Sequence, residues 1–178
     1  ILIAISCIFM GTGVPTTATY IILVAVAAPA LTQLQIEPIV SHFFVFYYGV
    51  LADITPPVAL AAYAAAGIAG SNPFTTGNTA FRLGIAKALV PFVFVYSPSL
   101  LLVAQGFNFY DFFVTLISAM IGIGLIGIGF TGYLFKRVST YQRCYLGVIS
   151  LLFIAPGLSS SIIGLVLVLP IFILQLRK

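Results

Sequence analysis

The stretch IVSHFFVFYYGVLADITPPVALAAYAAAGIA occupies residues 39–69. It is long enough to cross a bilayer, which takes about 20 apolar residues. Near its middle, the hexapeptide ADITPP at 52–57 interrupts it. Pro56 and Pro57 lack a backbone N–H, so the carbonyls of the residues four positions earlier lose their helical donors. Irregular backbone is tolerated at membrane depth only where protein buries it or where it lines a cavity. The stretch therefore predicts a broken transmembrane helix.

The composition of the whole chain agrees with a membrane protein. Of its 178 residues, 62% are hydrophobic and 6% are charged, whereas soluble domains carry about 25% charged residues. The net charge of +4 comes from few basic residues at segment ends, so it does not indicate a nucleic-acid partner. We expect an all-α integral membrane protein that lies in the lipid bilayer with several passes.

A second interruption is predicted near the start of the chain. The apolar residues 1–10 are too few to cross a bilayer. They are followed by GTGVPTT at 11–17, where two glycines and a proline disfavour a continuous helix. Thr16 or Thr17 is a candidate cap for the next helix. A short helix, a break and a second helix predict a re-entrant hairpin over 1–34, with one straight helix as the alternative.

The rest of the chain predicts further membrane helices. A polar loop at 70–80 precedes a span at 84–104, and an uncharged span follows at 112–134. The apolar run 144–176 has a Pro-Gly pair near its centre, so it predicts either one broken span or, as we favour, a second re-entrant hairpin. Two regions result: a hairpin, a broken helix and a span in residues 1–104, and a C-terminal membrane extension in residues 112–178.

The two interruptions together suggest a cation site. Pro15 is expected to free the carbonyl of Gly11, as the later proline pair frees those of Ala52 and Asp53. Broken membrane helices use such carbonyls to coordinate Na⁺. Oxygen ligands suit a hard cation, and hydroxyl oxygens lie beside both breaks, on Thr16, Thr17 and Thr55. We therefore predict a Na⁺ site between residues 11–17 and 49–57, with Gly11, Ala52, Asp53 and Thr55 as ligands.

Asp53 admits two interpretations. An ionisable side chain at membrane depth is a functional hypothesis by default, and this carboxylate would bind the cation or carry a proton. The alternative is a carboxylate that only caps the second half of the broken helix. The sequence leaves Na⁺ and H⁺ coupling open. No catalytic set and no metal-binding histidine–cysteine pattern is present, and the GxGxxG string at 122–127 lies inside a span, so neither an enzyme nor a bound organic cofactor is predicted.

The motifs GTGVPTTATYIILVAVAAPAL at 11–31 and ADITPPVALAAYAAAGIAGSNP at 52–73 carry a family resemblance. Because these motifs occur in this order and at this spacing, the chain resembles the large membrane subunit of TRAP (tripartite ATP-independent periplasmic) transporters. More narrowly, it resembles the fused, TAXI-type permeases. The resemblance is strong over roughly residues 1–100. Its motif positions are Gly11, Gly13, Pro15 and Thr16 at the hairpin tip, and Ile54, Thr55, Pro56 and Pro57 at the broken helix.

The resemblance implies a fold and a function. The fold is an elevator-type transporter, of which this chain would be a C-terminal fragment that holds the second of two inverted repeats. The function is sodium-driven import across the bacterial cytoplasmic (inner) membrane of a small organic acid that a periplasmic substrate-binding protein delivers. At the position of Asp53, many relatives of the unfused type have an apolar residue. A non-transporting structural or assembly module in the membrane is the alternative function.

Overall fold

The computed structural model describes residues 1–103, 106–155 and 157–176. Within them the chain forms nine α-helices and two short 3-10 helices, and no strand. The chain divides into two compact units, Ile1–Pro91 and Phe92–Lys178. Residues 104, 105, 156, 177 and 178 are not among the described residues. The parts of the predictions above that fall on them therefore lie outside the described residues.

The first unit contains the two interruptions. Its helices are α1 (Leu2–Gly11), α2 (Thr16–Gln33), α3 (Pro38–Ala52), α4 (Leu60–Ala69) and α5 (Pro73–Gly84). Non-helical backbone separates α1 from α2 and α3 from α4, so the straight helix over 1–34 is excluded. The two breaks lie where the positions of the prolines predicted them. A proline lacks its N–H whatever surrounds it, so its effect on a helix can be predicted from the sequence alone.

Helices α2 and α3 run antiparallel and form the centre of the first unit. Tyr20 on α2 packs its ring edge against Phe46 and hydrogen-bonds the Nδ1 atom of His42 through its hydroxyl, at 2.9 Å. Farther along, Thr19 contacts Gly49, where a built Cβ atom would lie only 3.2 Å from the Thr19 Cγ2 atom. The small residue on α3 therefore lets the two helices approach closely.

The predicted loop at 70–80 and the predicted bounds of the next span are wrong. Asn72 caps α5, since its side chain accepts a hydrogen bond from the Thr75 N–H (3.0 Å), and Pro73 occupies the first helical turn. The Asn-Pro pair marks a helix start here, and not only a turn. The helical stretch runs through a 3-10 segment, Ile85–Leu89, and α6 (Val90–Tyr96), so it spans Pro73–Tyr96 and not 84–104.

The second unit contains most of α6, the second 3-10 helix (Pro98–Leu100) and three longer helices: α7 (Phe109–Thr131), α8 (Thr140–Ile154) and α9 (Leu158–Leu176). Helix α8 runs antiparallel to α9: the Tyr145 hydroxyl donates to the Leu167 carbonyl, and the Phe153 ring lies against Gly164. The run 144–176 therefore forms two antiparallel helices and not one broken span. Whether these arms enter and leave the membrane on one side stays a prediction.

Small residues and apolar side chains hold the three helices together. A Cβ atom built on Gly122 of α7 would lie 3.0 Å from the Phe153 Cβ atom, whereas Gly124 and Gly127 have open space around them. Only the first glycine of the GxGxxG string therefore serves helix packing. The core of this unit is a cluster of buried apolar side chains: Leu125, Val138, Leu146, Ile149, Phe153, Val168 and Ile171.

Four helical stretches in the described residues are long and apolar enough to cross a membrane. They are Thr16–Gln33, Pro73–Tyr96, Phe109–Thr131 and Leu158–Leu176. Helices α1, α3 and α4 are apolar but shorter, and a complete crossing takes about 20 residues. The three shorter helices all flank the two interruptions, beside the membrane-length helix α2, which agrees with broken or re-entrant segments.

Candidate ion and substrate site

The two interruptions lie against each other in the first unit. A Cβ atom built on Gly11, the last residue of α1, would lie 2.9 Å from the Ala52 Cβ atom and 2.9 Å from the Thr19 Cγ2 atom. Ala52 is the last residue of α3. The C-terminal ends of two helices thus meet at contact distance, and the glycine makes this approach possible.

The Asp53 side chain joins the two interruptions. Its Oδ2 atom accepts a hydrogen bond from the Thr16 hydroxyl at 3.1 Å, across 37 residues of sequence. Thr16 is the first residue of α2, whose N-terminal end carries a partial positive charge. The carboxylate of Asp53 thus lies beside the N-terminal end of α2.

Neither side chain acts as the helix cap that the sequence allowed. Pro15 is the N-cap of α2 and Ala59 is the N-cap of α4, and neither helix has a side-chain cap bond. The backbone carbonyl of Asp53, and not its carboxylate, accepts from the Ala61 N–H at 3.1 Å. The capping alternative for the Asp53 carboxylate is therefore wrong.

The prediction of uncapped carbonyls is also wrong. The Gly11 carbonyl accepts from the Val14 N–H at 3.4 Å, and the Ala52 carbonyl accepts from the Thr55 N–H at 3.0 Å. The Asp53 carbonyl has its own donor, as described. The turns that follow each helix supply donors from nearby residues, which replace those that the prolines remove. A carbonyl oxygen has two lone pairs, so each of these oxygens retains one for a further contact.

The threonines differ in their contributions. The Thr55 hydroxyl donates to the Leu51 carbonyl at 2.8 Å, so the lone pairs of its oxygen remain available as acceptors. Thr17 is exposed and Thr19 is buried; the Thr19 hydroxyl donates to the Val14 carbonyl at 3.0 Å and fixes the turn. Sequence reasoning missed Thr19, although it shares the helix face of Thr16 three residues earlier.

Other motif residues shape the two turns. Gly13 has a φ of +80°, a left-handed conformation that glycine adopts without steric cost. The peptide bond between Pro56 and Pro57 is cis. The Pro57 carbonyl accepts a hydrogen bond from the Tyr63 hydroxyl at 2.6 Å, which ties the loop between α3 and α4 to α4.

Two helix C-terminal ends and a carboxylate contribute negative charge to this arrangement, and the N-terminal end of α2 contributes positive charge. Helix C-terminal ends carry about half a negative charge each, and those of α1 and α3 converge beside the Asp53 carboxylate. The ligands on offer are carboxylate, hydroxyl and carbonyl oxygens, which suit a hard cation. Within the described part of the chain, no group of three His, Cys, Asp or Glu side chains is arranged to hold a metal ion.

A family model described as Tripartite ATP-independent periplasmic transporter, DctM component, matches residues 1–109. The chain belongs to this family. No curated protein and no solved structure matches the chain. The matched region contains both interruptions and every residue of the candidate site.

Membership of the DctM family decides between the broad function classes. The chain is a component of a TRAP transporter permease and not an enzyme. Such transporters work in a membrane together with a periplasmic substrate-binding protein, and the four membrane-length helices of this DctM-family chain agree with a multi-pass membrane protein. The alternative of a purely structural membrane module is disfavoured by the same match.

Proposed function

We propose that this chain is part of a sodium-coupled, TAXI-type fused permease that imports a small organic acid across the bacterial cytoplasmic membrane. A periplasmic binding protein delivers the carboxylate substrate. The coupling ion binds between the turn at 11–17 and the segment at 49–57, which contains the end of α3 and the start of the loop that follows it. The observation that carries the proposal is the contact of Thr16 with Asp53, at the point where the ends of α1 and α3 meet.

An ion at this place would link the two interrupted segments. The Asp53 carboxylate and the Thr55 hydroxyl belong to the break after α3, whereas Gly11 and Thr16 belong to the break after α1. A cation that binds oxygens from both breaks stabilises their contact, so its binding energy favours one arrangement of the two turns. In the proposed elevator mechanism, this arrangement is the one that accepts substrate.

The anionic substrate has a separate source of stabilisation. Helix α4 has no side-chain cap, and although the Ala61 N–H already donates to the Asp53 carbonyl, the N-terminal end of the helix carries a partial positive charge that favours an anion. The loop between α3 and α4 thus offers a cation-favouring C-terminal end and an anion-favouring N-terminal end within seven residues, 53–59. This polarity is suited to the joint binding of Na⁺ and a carboxylate.

The proposal is tested with the full-length permease and its binding protein in proteoliposomes. We expect uptake of a labelled organic acid to rise when an inward Na⁺ gradient replaces an inward K⁺ gradient, and to require the binding protein. If uptake follows an inward proton gradient and does not depend on Na⁺, the coupling ion is H⁺ and not Na⁺. Uptake that is indifferent to both gradients would contradict coupled transport at this site.

A further inference from the structure

Helices α2 and α3 border a cavity near the connection between them. Its volume is about 320 Å³, which is within the range of sites that bind small ligands. A second cavity of about 650 Å³ adjoins it, because Pro38 and His42 line both. We name the first one the serine cavity. Its lining includes Val24, Ala28 and Thr32 of α2, and Pro38, Ser41 and His42 of α3.

The Ser41 hydroxyl is a buried polar group without a hydrogen-bond partner. The residue is 0% exposed, and its Oγ atom contacts no donor or acceptor in the described part of the chain. A helical serine often donates to the carbonyl four residues earlier, but the Glu37 carbonyl accepts only from the Ser41 N–H, at 2.9 Å. Since nearly all buried polar groups in proteins are paired, this hydroxyl indicates a ligand in the serine cavity.

The other polar groups of the serine cavity already have partners within the protein. The Thr32 hydroxyl donates to the Ala28 carbonyl at 2.7 Å, and the Tyr20 hydroxyl and the His42 Nδ1 atom share a hydrogen bond of 2.9 Å. None of the described residues that line the cavity is Asp, Glu, Lys or Arg. The Ser41 hydroxyl is therefore offered to a neutral group that accepts a hydrogen bond, such as a carbonyl.

The adjoining cavity is suited to an apolar chain. Its lining includes the side chains of Ile39, Phe43 and Phe46, all on α3. Apolar and aromatic side chains with few polar groups are typical of sites that bind the hydrophobic part of a ligand. The two cavities together therefore fit an amphipathic molecule with a neutral carbonyl at one end and a hydrocarbon chain beyond it.

The position of Ser41 along the helices places its hydroxyl close to the membrane surface. Helix α2 has 18 residues, so its length of roughly 27 Å nearly matches the hydrocarbon thickness of a bilayer. The connection that follows it contains the polar residues Gln33, Gln35 and Glu37. Ser41 lies one helical turn beyond Glu37, about 6 Å along α3. This is the level at which phospholipids carry their glycerol ester groups, between headgroup and hydrocarbon.

We propose that the serine cavity binds the ester region of a membrane phospholipid. The Ser41 hydroxyl donates to an ester carbonyl, and the acyl chain occupies the adjoining cavity. A lipid is favoured over a segment of protein because it combines a neutral carbonyl with a long apolar chain at the depth of Ser41. One hydrogen bond of this kind contributes about fivefold to the affinity.

The test measures the melting temperature of the full-length permease in detergent while a lipid is added. The probes are dioleoyl phosphatidylcholine and its diether analogue, which has the same headgroup and chain length but no ester carbonyl. We expect the diester lipid to reach half of its maximal stabilisation at about a fivefold lower mole fraction. Ser41→Ala should abolish this difference. In lipid-free detergent, Ser41→Ala should not lower the melting temperature, because it removes an unpaired buried hydroxyl.

Two further variants complete the test. Ser150→Ala is the matched control: Ser150 is also 0% exposed, but its hydroxyl donates to the Gly147 carbonyl at 2.6 Å. This variant should be less stable with either lipid and should keep the fivefold difference. Val24→Phe fills the serine cavity from α2 and should abolish the difference while Ser41 is intact.

Four results would overturn the proposal. The first is an equal effect of both lipids on the native protein, which would assign the cavity to water or to another part of the permease. The second is a difference that persists in Ser41→Ala or Val24→Phe, and the third is its loss in Ser150→Ala. The fourth is a lower melting temperature of Ser41→Ala without lipid, which would show that the hydroxyl has a partner within the protein.

Discussion

At the scale of single residues, Thr16 and Asp53 show how two distant parts of the chain meet at the proposed site. The Thr16 hydroxyl holds one carboxylate oxygen of Asp53, which leaves the other oxygen for an ion. Without the hydroxyl, the carboxylate would have to be ordered by the ion itself. Fixing a mobile side chain costs about 1 kcal/mol, so this contact preorganises the proposed site.

The substitution Thr16→Val removes the hydroxyl and keeps the shape of the side chain. We expect the Na⁺ concentration for half-maximal uptake to rise roughly fivefold, because ion binding must then order the carboxylate. The matched control is Thr17→Val, on the next residue of the same helix, which is exposed and should behave as the native protein. Equal Na⁺ dependence in both variants would contradict the assigned role of Thr16.

Sequence reasoning predicts the breaks at this scale, and not the bonds within them. A proline removes its own N–H whatever surrounds it, so the interruptions near Pro15 and Pro56 follow from local chemistry. The partners of the Gly11 and Ala52 carbonyls depend on how each turn closes, and the contact between Thr16 and Asp53 depends on the packing of α2 against α3. This contact spans 37 residues, so a short stretch of sequence does not encode it.

At the scale of secondary-structure elements, the close approach of α1 and α3 is the essential feature. It depends on the missing side chain of Gly11, because a built Cβ atom would overlap the Ala52 Cβ atom and the Thr19 Cγ2 atom. Overpacking of a well-fitted contact costs typically 1–3 kcal/mol. The end of α1 would have to move away from the end of α3.

We expect Gly11→Ala to lower the melting temperature of the purified permease by several degrees and to reduce Na⁺-dependent uptake, because it separates the two interruptions. Gly67→Ala is the matched control: Gly67 also lies within a helix, and open space surrounds it. Alanine there should be neutral or stabilising by about 1 kcal/mol. Normal uptake and stability in Gly11→Ala would show that the close contact is not required.

The sequence was less informative about where helices start than about where they break. The segment at 70–80 contains residues typical of turns, but Asn72 and Pro73 use the same chemistry to begin α5. Polar and turn-forming residues occur both in loops and in the first turn of a helix. Only the contacts of α5 decide between them: Gly77 lies against the Tyr63 ring and Gly84 against the Ile54 side chain.

At the scale of the whole molecule, the chain combines two units with separate cores. Every contact that forms the candidate site lies within Ile1–Pro91, and the family match ends at residue 109. The second unit has its own apolar core and its own helix contacts. The division into a transport region at 1–104 and an extension at 112–178 stays a prediction.

Deletion of residues 112–178 from the full-length permease tests this division. We expect the truncated protein to keep its Na⁺ dependence, with a half-maximal Na⁺ concentration within about threefold of the native value, because no ligand of the proposed site is removed. Size-exclusion chromatography in detergent checks that the variant remains folded. A folded, truncated permease that transports without regard to Na⁺ would show that the extension contributes to coupling.

The central claim is that Asp53 holds a coupling ion where the two interruptions meet. Its most direct test is the external Na⁺ concentration that gives half-maximal uptake by the full-length permease, compared between the native protein and Asp53→Asn. The amide keeps an oxygen acceptor for the Thr16 hydroxyl but removes the negative charge, whose attraction for a cation about 4 Å away is of order 4 kcal/mol at an effective dielectric constant near 20. We predict at least a roughly tenfold increase, or loss of Na⁺ dependence. An unchanged half-maximal concentration would contradict the claim.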